Sequence, residues 1–162
     1  MKEQNFMKND LILRSARLED LNDVRKMSML FAPGSQELDS TEFIANYQRL
    51  LNDVTWFLGV AEERGVLVGY VLVQDFGQGL RSPFTVGRIH DHFVDESERR
   101  KGTGRALTEF AFDWARTRPV PMILDWQARS ESISFYEALG FTADYVGDFP
   151  ESPGFTLDLR HP

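Results

Sequence analysis

Cationic side chains crowd around two glycines in the segment ERRKGTGRAL, residues 98–107. The residues that follow have the pattern of a helix, and cations at a helix N-terminus oppose its macrodipole by about 0.3–1 kcal/mol each. Glycine lets backbone amides approach a ligand closely, and the unpaired amides of a first helical turn bind anions. A bound diphosphate would therefore explain the cations, whereas the plainer alternative is a solvated turn. The residues concerned are Arg99, Arg100, Lys101, Gly102, Thr103, Gly104 and Arg105.

A second chemically useful group lies in the segment TVGRIHDHFV, residues 85–94, which has the pattern of a strand. Histidine, with an ordinary pKa near 6.5, is suited to accept a proton near neutral pH. His90 and His92 could also hold a metal ion by their spacing, but no third ligand is evident and we predict no metal site. The plainer alternative is polar decoration of an exposed strand. Because side chains alternate along a strand, two faces are predicted: Arg88, His90 and His92 on one, Ile89, Asp91 and Phe93 on the other.

Hydrophobic periodicity predicts the elements that must position these side chains. Their order, β-α-α-β-β-β-α-β-α-β-β, predicts a single α/β domain over residues 1–162. Asp39 with Glu42 is a candidate helix cap, and Gly140 is expected to end the last helix. The predicted helices begin near Leu21, after Asp39, after Gly102 and at Ile133, and the predicted strands are 11–17, 55–61, 66–76, 85–94, 122–126, 141–146 and 155–159.

Composition and spacing exclude several classes of protein. The formal net charge of −7 argues against nucleic acid as a partner and fits a cationic ligand or simple solubility. Without cysteine, disulfides, thiolate metal sites and a cysteine nucleophile are excluded. No apolar run approaches the roughly 18 residues of a membrane helix, and the N-terminal segment lacks a secretion signal. We therefore expect a cytoplasmic protein with no membrane partner.

The glycine segment also lacks two common nucleotide-binding patterns. Position 107 is Leu107, so the dinucleotide fingerprint GxGxxG fails, and no Gly-Lys-Ser/Thr follows, so the phosphate loop of nucleotide hydrolases fails. A nucleotide-binding module is therefore the weakest of the alternatives.

The segment VDESERRKGTGRAL, followed by SISFYEALGF, resembles the GNAT superfamily of acyl-CoA-dependent N-acetyltransferases. Arg99, Gly102 and Gly104 match the family's Q/R-x-x-G-x-G/A signature, which implies that they bind the pyrophosphate of coenzyme A. Phe135-Tyr136 through Gly140-Phe141 matches its F-Y-x-x-x-G-F pattern. The resemblance implies the family's fold, a mostly antiparallel central sheet flanked by helices, and acetyl-CoA as co-substrate.

One position departs from the family pattern. The family often has an Asn seven residues before the helix tyrosine, contacting the cofactor, where this chain has Arg129. Ser130 or Gln127 could replace that contact, or Arg129 could reach a phosphate of coenzyme A. Besides the glycine segment, the resemblance thus implies cofactor contacts by Phe93, Val94, Arg129, Ser130 and Phe135.

The resemblance also implies direct attack of a bound amine on the acetyl thioester. Tyr136 is then expected to return a proton to the departing thiolate. A primary amine has a pKa near that of lysine, about 10.4, so it needs a base or a water relay to lose its proton near neutral pH. His90 is the candidate base, and Asp91 could hold the ammonium group or polarise His90. A backbone amide at Val94 or Asp95 is expected to stabilise the oxyanion.

The acceptor is the least defined part of the site. We expect a small primary amine resembling a polyamine, and the alternatives are a drug amine, a protein N-terminus or a lysine side chain. A non-catalytic acyl-CoA-binding or sensing domain is the rival from another class, and a homodimer is one option for assembly. Five residues could line a pocket for a cationic amine or serve only as core and surface: Glu37, Asp39, Glu42, Trp56 and Trp126.

Overall fold

A computed structural model describes residues 10–34, 39–144, 146 and 150–161 of the chain. Within these residues, six strands form one sheet in sequential order. Neighbouring strands are antiparallel except β4 and β5, which are parallel. This confirms the predicted mixed, mostly antiparallel sheet flanked by helices. The elements are β1 (Leu11–Ser15), α1 (Leu21–Phe31), α2 (Ser40–Asn52), β2 (Trp56–Glu63), β3 (Val66–Gln78), β4 (Thr85–Val94), α3 (Thr103–Arg116), β5 (Met122–Gln127), α4 (Ile133–Ala138) and β6 (Gly154–Asp158).

Helices cover both faces of the sheet. The α1–α2 face buries Val24 and Tyr47 against Val60 and other strand residues. The α3–α4 face is larger, and there the apolar stripe of α3 packs on the opposite side of the same strands. Among the described residues, no helix is both long enough and apolar enough to cross a bilayer.

The predicted helix ends follow from local hydrogen bonds. The Asp39 carboxylate accepts a bond of 2.9 Å from the Glu42 amide and so caps α2. At the end of α4, Gly140 adopts φ +95°, and its amide and that of Phe141 donate to carbonyls of the last helical turn. Both ends were predicted, because each depends on a residue type with a specific backbone preference.

A β-bulge interrupts β4. Leu72 of β3 pairs with Asp91 and Val73 pairs with Ile89, so His90 is an inserted residue without a partner. A bulge of this kind reverses the alternation of the side chains beyond it. Ile89 accordingly belongs to the core of the α3–α4 face, whereas Phe93 belongs to that of the α1–α2 face.

Because of the bulge, the side chains of β4 are divided between the two faces of the sheet differently from the prediction. His90 stacks on Trp56, and a guanidinium from α2 lies over the ring of Trp56, so His90 is on the α1–α2 face. Asp91 accepts a hydrogen bond from Tyr70, which belongs to the core of the same face. His92 lies on the other face, against the first turn of α3. The predicted face shared by His90 and His92 is therefore wrong, because simple alternation cannot anticipate an inserted residue. The described residues contain no group of three or more potential metal ligands.

The strand predicted over 141–146 is not formed by the described residues of that range, 141–144 and 146. Phe141 instead packs its ring against Phe112 and Trp126, at 5.6 and 5.1 Å between centroids. The amide of Asp144 donates to the carbonyl of Gly154, which is a single bond rather than a ladder. Phe141 and Ala143 thus pack against the core beneath α3, whereas Val146 is 62% exposed.

Candidate active site

A cleft of about 270 Å³ opens where β4 and β5 separate. The parallel ladder ends at the pair Arg88 and Asp125, although β4 continues to Val94. A strand that loses its neighbour leaves backbone amides for a ligand to pair with. The cleft is lined by Phe31, Ile89, His90, His92, Trp126, Gln127, Ala128, Arg129, Ser132, Phe135, Tyr136 and Ser152.

The glycine turn leads into α3 next to this cleft. Gly102 precedes the helix with φ +96°, a conformation that strains any residue with a Cβ atom. Arg100 also has a positive φ, +62°. The amides of residues 100–105 donate to no acceptor within the described part of the chain. The turn thus presents a row of unpaired backbone donors, as the sequence predicted.

The cations around the turn differ in their partners. Arg99 donates to the carbonyl of Val94 at 3.2 Å, and Lys101 pairs with Glu98 at 3.0 Å. Arg100 and Arg105 are exposed and form no hydrogen bond or ion pair with the described residues. These two side chains are therefore free to neutralise an anion on the turn.

Tyr136 presents its hydroxyl to the cleft. Its ring is buried, packed against Phe135 at 4.9 Å and Trp126 at 5.4 Å between centroids. Burial raises the pKa of this phenol, so it stays protonated across the physiological range. The hydroxyl has no hydrogen-bond partner among the described residues, yet it is not among their fully buried polar atoms. It is thus a protonated donor open to the cleft.

His90 lies at the opposite wall with an aromatic neighbour. Its Nε2 is 3.0 Å from Oε1 of Gln74, and its ring stacks on Trp56 at 5.2 Å. Burial lowers the pKa of His90, and the nearby Asp91 carboxylate offsets part of that effect. The imidazole is therefore neutral near pH 7, and when Nε2–H donates to Gln74, Nδ1 can accept a proton.

Asp91 does not hydrogen-bond His90. Its carboxylate accepts a bond of 2.9 Å from the Tyr70 hydroxyl, and burial raises its pKa. The structure therefore gives Asp91 an electrostatic influence on His90 but no direct bond through which to orient it.

The open edge of β4, the glycine turn with its unpaired amides and the phenol of Tyr136 lie close together in the fold. Comparison with known proteins gives a match over the same part of the chain. The sequence profile of the acetyltransferase (GNAT) family matches residues 20–141, which contain both the turn and most of the cleft. The chain belongs to the GNAT family. The family resemblance of the two motifs is thereby confirmed over α1 to α4.

Three relatives of this GNAT chain illustrate the match. The mycothiol acetyltransferase of Thermobispora bispora is 32% identical over 85 residues, which cover 51% of this chain, and the chain spans only 29% of that protein's length. An acetyltransferase of Trypanosoma brucei is 26% identical, with a TM-score of 0.70 over 83% of this chain and 94% of that one. The protein yncA of Salmonella typhimurium, solved with its cofactor acetyl-CoA, is 21% identical with a TM-score of 0.73 over 93% and 95%.

His92 lies against the glycine turn, a contact that the sequence analysis did not predict. Its Nε2–H donates to the carbonyl of Gly104 at 3.1 Å, and its ring stacks on Phe135 at 5.7 Å. The hydroxyl of Thr108 donates to the same carbonyl at 2.9 Å. Burial lowers the pKa of His92 to about 4. This contact could have been predicted only if the sequence indicated a bulge in β4, and the residue types of the strand do not indicate one.

Of the two backbone amides predicted to stabilise the oxyanion, those of Val94 and Asp95, the pairing of β4 leaves one free. The Asp95 amide donates to the carbonyl of Val68 at 2.8 Å and is therefore occupied. Because amides alternate in direction along an antiparallel pair, that of Val94 points away from β3, toward the side β5 has left. The side chain of Phe93 is buried beside Tyr70 and does not reach the cleft.

The remaining predicted cofactor residues are dispersed. Phe135 lies against the turn, since a Cβ on Gly104 would meet its ring at 3.3 Å. Arg129 instead donates from Nη2 to the carbonyl of Phe31 at 2.7 Å, and Ser130 bonds to Glu131. The cofactor contacts of Arg129 and Ser130 stay predictions.

The predicted acceptor residues do not form a group. Trp126 lines the cleft, but its side chain is 2% exposed within the core. Trp56 supports His90, whereas Asp39 caps α2 next to the exposed Glu42. Glu37 lies outside the described residues. The described acids of this set therefore contribute nothing to the lining of the cleft.

Proposed function

We propose that this chain transfers the acetyl group of acetyl-CoA directly to a primary amine of a small molecule. The observation that carries the proposal is the continuity from the unpaired amides of residues 100–105, through Phe135 against Gly104, to the protonated hydroxyl of Tyr136. Phosphate-binding groups and a proton donor for a thiolate leaving group are thus connected along one wall of the cleft.

The turn would bind the diphosphate of acetyl-CoA. Its unpaired amides would donate to the phosphate oxygens, and the free side chains of Arg100 and Arg105 would add two positive charges. The pantetheine amides would then pair with the open edge of β4 beyond Arg88, where β5 no longer occupies it. Such pairing is the strand-addition mode of recognition, in which main-chain bonds supply affinity.

The transfer itself needs no covalent enzyme intermediate. The amine nitrogen attacks the acetyl carbon, the carbonyl oxygen becomes an oxyanion that the Val94 amide can stabilise, and the C–N bond forms. The C–S bond then breaks, and the thiolate takes the proton of the Tyr136 hydroxyl. The proton lost by the amine goes to Nδ1 of His90 or to water, and Tyr136 recovers its proton from solvent.

The acceptor class can be tested by activity. We propose a small primary amine, and the polyamine-like acceptor expected from the sequence stays a prediction. An amine panel that includes spermidine, a peptide with a free N-terminus and a lysine peptide, followed by CoA release, separates small-molecule from protein acceptors. A homodimer in the cytoplasm stays a prediction as well.

A ligand-binding experiment tests the proposal before any acceptor is known. A ligand at 100 times its dissociation constant should add about 2.7 kcal/mol to the free energy of unfolding. We expect acetyl-CoA and CoA, but not ATP, to raise the Tm of the full chain. Stabilisation by acetyl-CoA without thiol release across the amine panel would contradict catalysis and indicate a binding or sensing domain.

A further inference from the structure

Arg129 is fixed within the cleft. Its Nη2 donates to the carbonyl of Phe31 at 2.7 Å, and its guanidinium lies 4.8 Å from the centroid of the Phe31 ring. A guanidinium carries five N–H donors, and this bond uses one of them. Arg129 forms no other hydrogen bond or ion pair with the described residues, although the Asp91 and Glu131 carboxylates interact with it electrostatically. Its remaining donors are thus held in position at an exposed site and are unused.

Arg129 also sets the charge of the cleft. Of the lining residues that the structure describes, it is the one with a permanent charge. The two histidines of the lining are neutral near pH 7, because burial lowers the pKa of each. No carboxylate is among the described lining residues, although Asp91 lies behind the wall. Along the described lining, an approaching ligand therefore meets the positive charge of Arg129 and neutral polar groups, while the Asp91 and Glu131 carboxylates lie near enough to Arg129 to interact with it.

The position of Arg129 separates it from the diphosphate turn. The turn meets the cleft at Phe135, which lies against Gly104. Arg129 is instead attached to the carboxyl end of α1 through Phe31, at the wall where no part of the turn contributes. A cofactor anchored on residues 100–105 would reach the cleft at Phe135, which would leave the side at Phe31 for the acceptor.

We propose that the acceptor is an amine that also carries a carboxylate or phosphate, and that Arg129 binds this anionic group. The proposal rests on the proposed acetyl transfer and assigns its substrate class. Both anions match the planar fork of a guanidinium, which binds them through parallel hydrogen bonds. A polycation such as a polyamine would instead be repelled by the positive charge of Arg129.

Matched acceptor pairs test the proposal with the full chain. O-Phosphoethanolamine is compared with ethanolamine, glucosamine 6-phosphate with glucosamine, and lysine with 1,5-diaminopentane, and spermidine is included as the polycation. The phosphate and carboxylate pairs show which anion is used. In at least one pair, we expect kcat/KM of the member with the phosphate or carboxylate to exceed that of the partner without it by roughly 10- to 100-fold, as for hydrogen bonds to charged groups.

Variants of Arg129 identify the group responsible. Arg129→Met keeps the aliphatic stem and should remove most of that preference, whereas Arg129→Lys, which keeps the charge but not the fork, should retain part of it. The dissociation constant of acetyl-CoA should change less than about threefold. Arg116→Met, at an exposed arginine paired with Asp113 on α3, is the control and should keep the wild-type preference.

Several results would overturn the proposal. They are a preference for spermidine, an anion preference that survives Arg129→Met, or a loss of acetyl-CoA affinity equal to the loss of activity, which would give Arg129 to the cofactor. If no amine releases CoA, acetyl transfer itself fails. The anion site is then decided by the Tm of the CoA-bound chain. O-Phosphoethanolamine should raise that Tm more than ethanolamine does, only when Arg129 is present, and an equal rise would overturn it.

Discussion

The imidazole Nε2–H of His92, on β4, donates to the carbonyl oxygen of Gly104, in the first turn of α3, at 3.1 Å. This bond joins the strand whose edge borders the cleft to the helix whose N-terminal amides are unpaired. The same imidazole stacks on Phe135, the neighbour of Tyr136. His92 thereby connects the glycine turn, the edge of β4 and α4.

Replacing His92 should weaken cofactor binding. His92→Phe keeps the stack on Phe135 but removes the donor to Gly104, so the first turn of α3 loses one support. A net contribution of about 0.5–1.5 kcal/mol corresponds to a roughly 2- to 10-fold rise in the dissociation constant of acetyl-CoA. His92→Gln, which keeps an N–H donor, should recover part of the affinity. Equal affinity of His92→Phe and wild type in calorimetric titration would remove this positioning role.

The lowered pKa of His92 predicts how stability depends on pH. The folded pKa is about 4 and the unfolded value is near 6.5, so between these values the unfolded chain binds the extra proton. The contribution of His92 to the free energy of unfolding is then fully present above pH 6.5. It falls by up to about 3 kcal/mol as the pH drops toward 4. Urea unfolding at several pH values should show a flatter dependence for His92→Gln than for wild type. Parallel curves would contradict this assignment.

Tyr136→Phe should reduce turnover without disturbing the cofactor site. The phenylalanine keeps the packing of the ring on Trp126 and Phe135, whereas the proton for the thiolate is lost. We expect kcat to fall by roughly 10²-fold or more and the dissociation constant of acetyl-CoA to change little. Because burial raises the pKa of Tyr136, wild-type activity should show no loss of the acid up to about pH 10. A variant with the wild-type kcat would exclude Tyr136 as the acid.

The features that local chemistry dictates were predictable from the sequence. Gly102 at φ +96°, Gly140 at φ +95° and the Asp39 cap each depend on a residue type with one strong backbone preference. The unpaired amides of the turn follow from the same logic, since glycine and a helix start leave them without acceptors. The order of strands and helices followed from periodicity, which reports burial one element at a time.

The features that depend on pairing between distant segments were not predictable. The bulge at His90 exists only relative to the register of β3, so alternation assigned His92 to the wrong face. Phe141 has the pattern of a strand residue, but tertiary packing against Trp126 decides its conformation. The bond that Arg129 donates to the carbonyl of Phe31 likewise joins two segments that are far apart in sequence.

Gly104→Ala should lower the affinity for acetyl-CoA while it leaves the Tm nearly unchanged. The new Cβ would lie 3.3 Å from the ring of Phe135 and 3.6 Å from the imidazole of His92, so the first turn of α3 must shift by a few tenths of an ångström. Alanine favours a helix over glycine by up to about 1 kcal/mol, which offsets the crowding, so Tm should change little while acetyl-CoA affinity falls roughly fivefold. Gly79→Ala, whose Cβ would meet only Ser82, is the control and should leave affinity unchanged.

Replacing His90, the proposed base, should lower the rate most at low pH, where the smallest fraction of the amine is unprotonated. Burial lowers the pKa of His90, so in the wild type it stays able to accept a proton below pH 6.5. His90→Gln keeps a polar group against Gln74 but cannot take the proton, and we expect kcat/KM to fall by roughly 10²-fold at pH 6 and by less at pH 9, where more amine is neutral. His161→Gln, at an exposed histidine outside the cleft, should match wild type throughout. If the His90→Gln profile were parallel to that of wild type across this range, the amine would be losing its proton to water rather than to the imidazole.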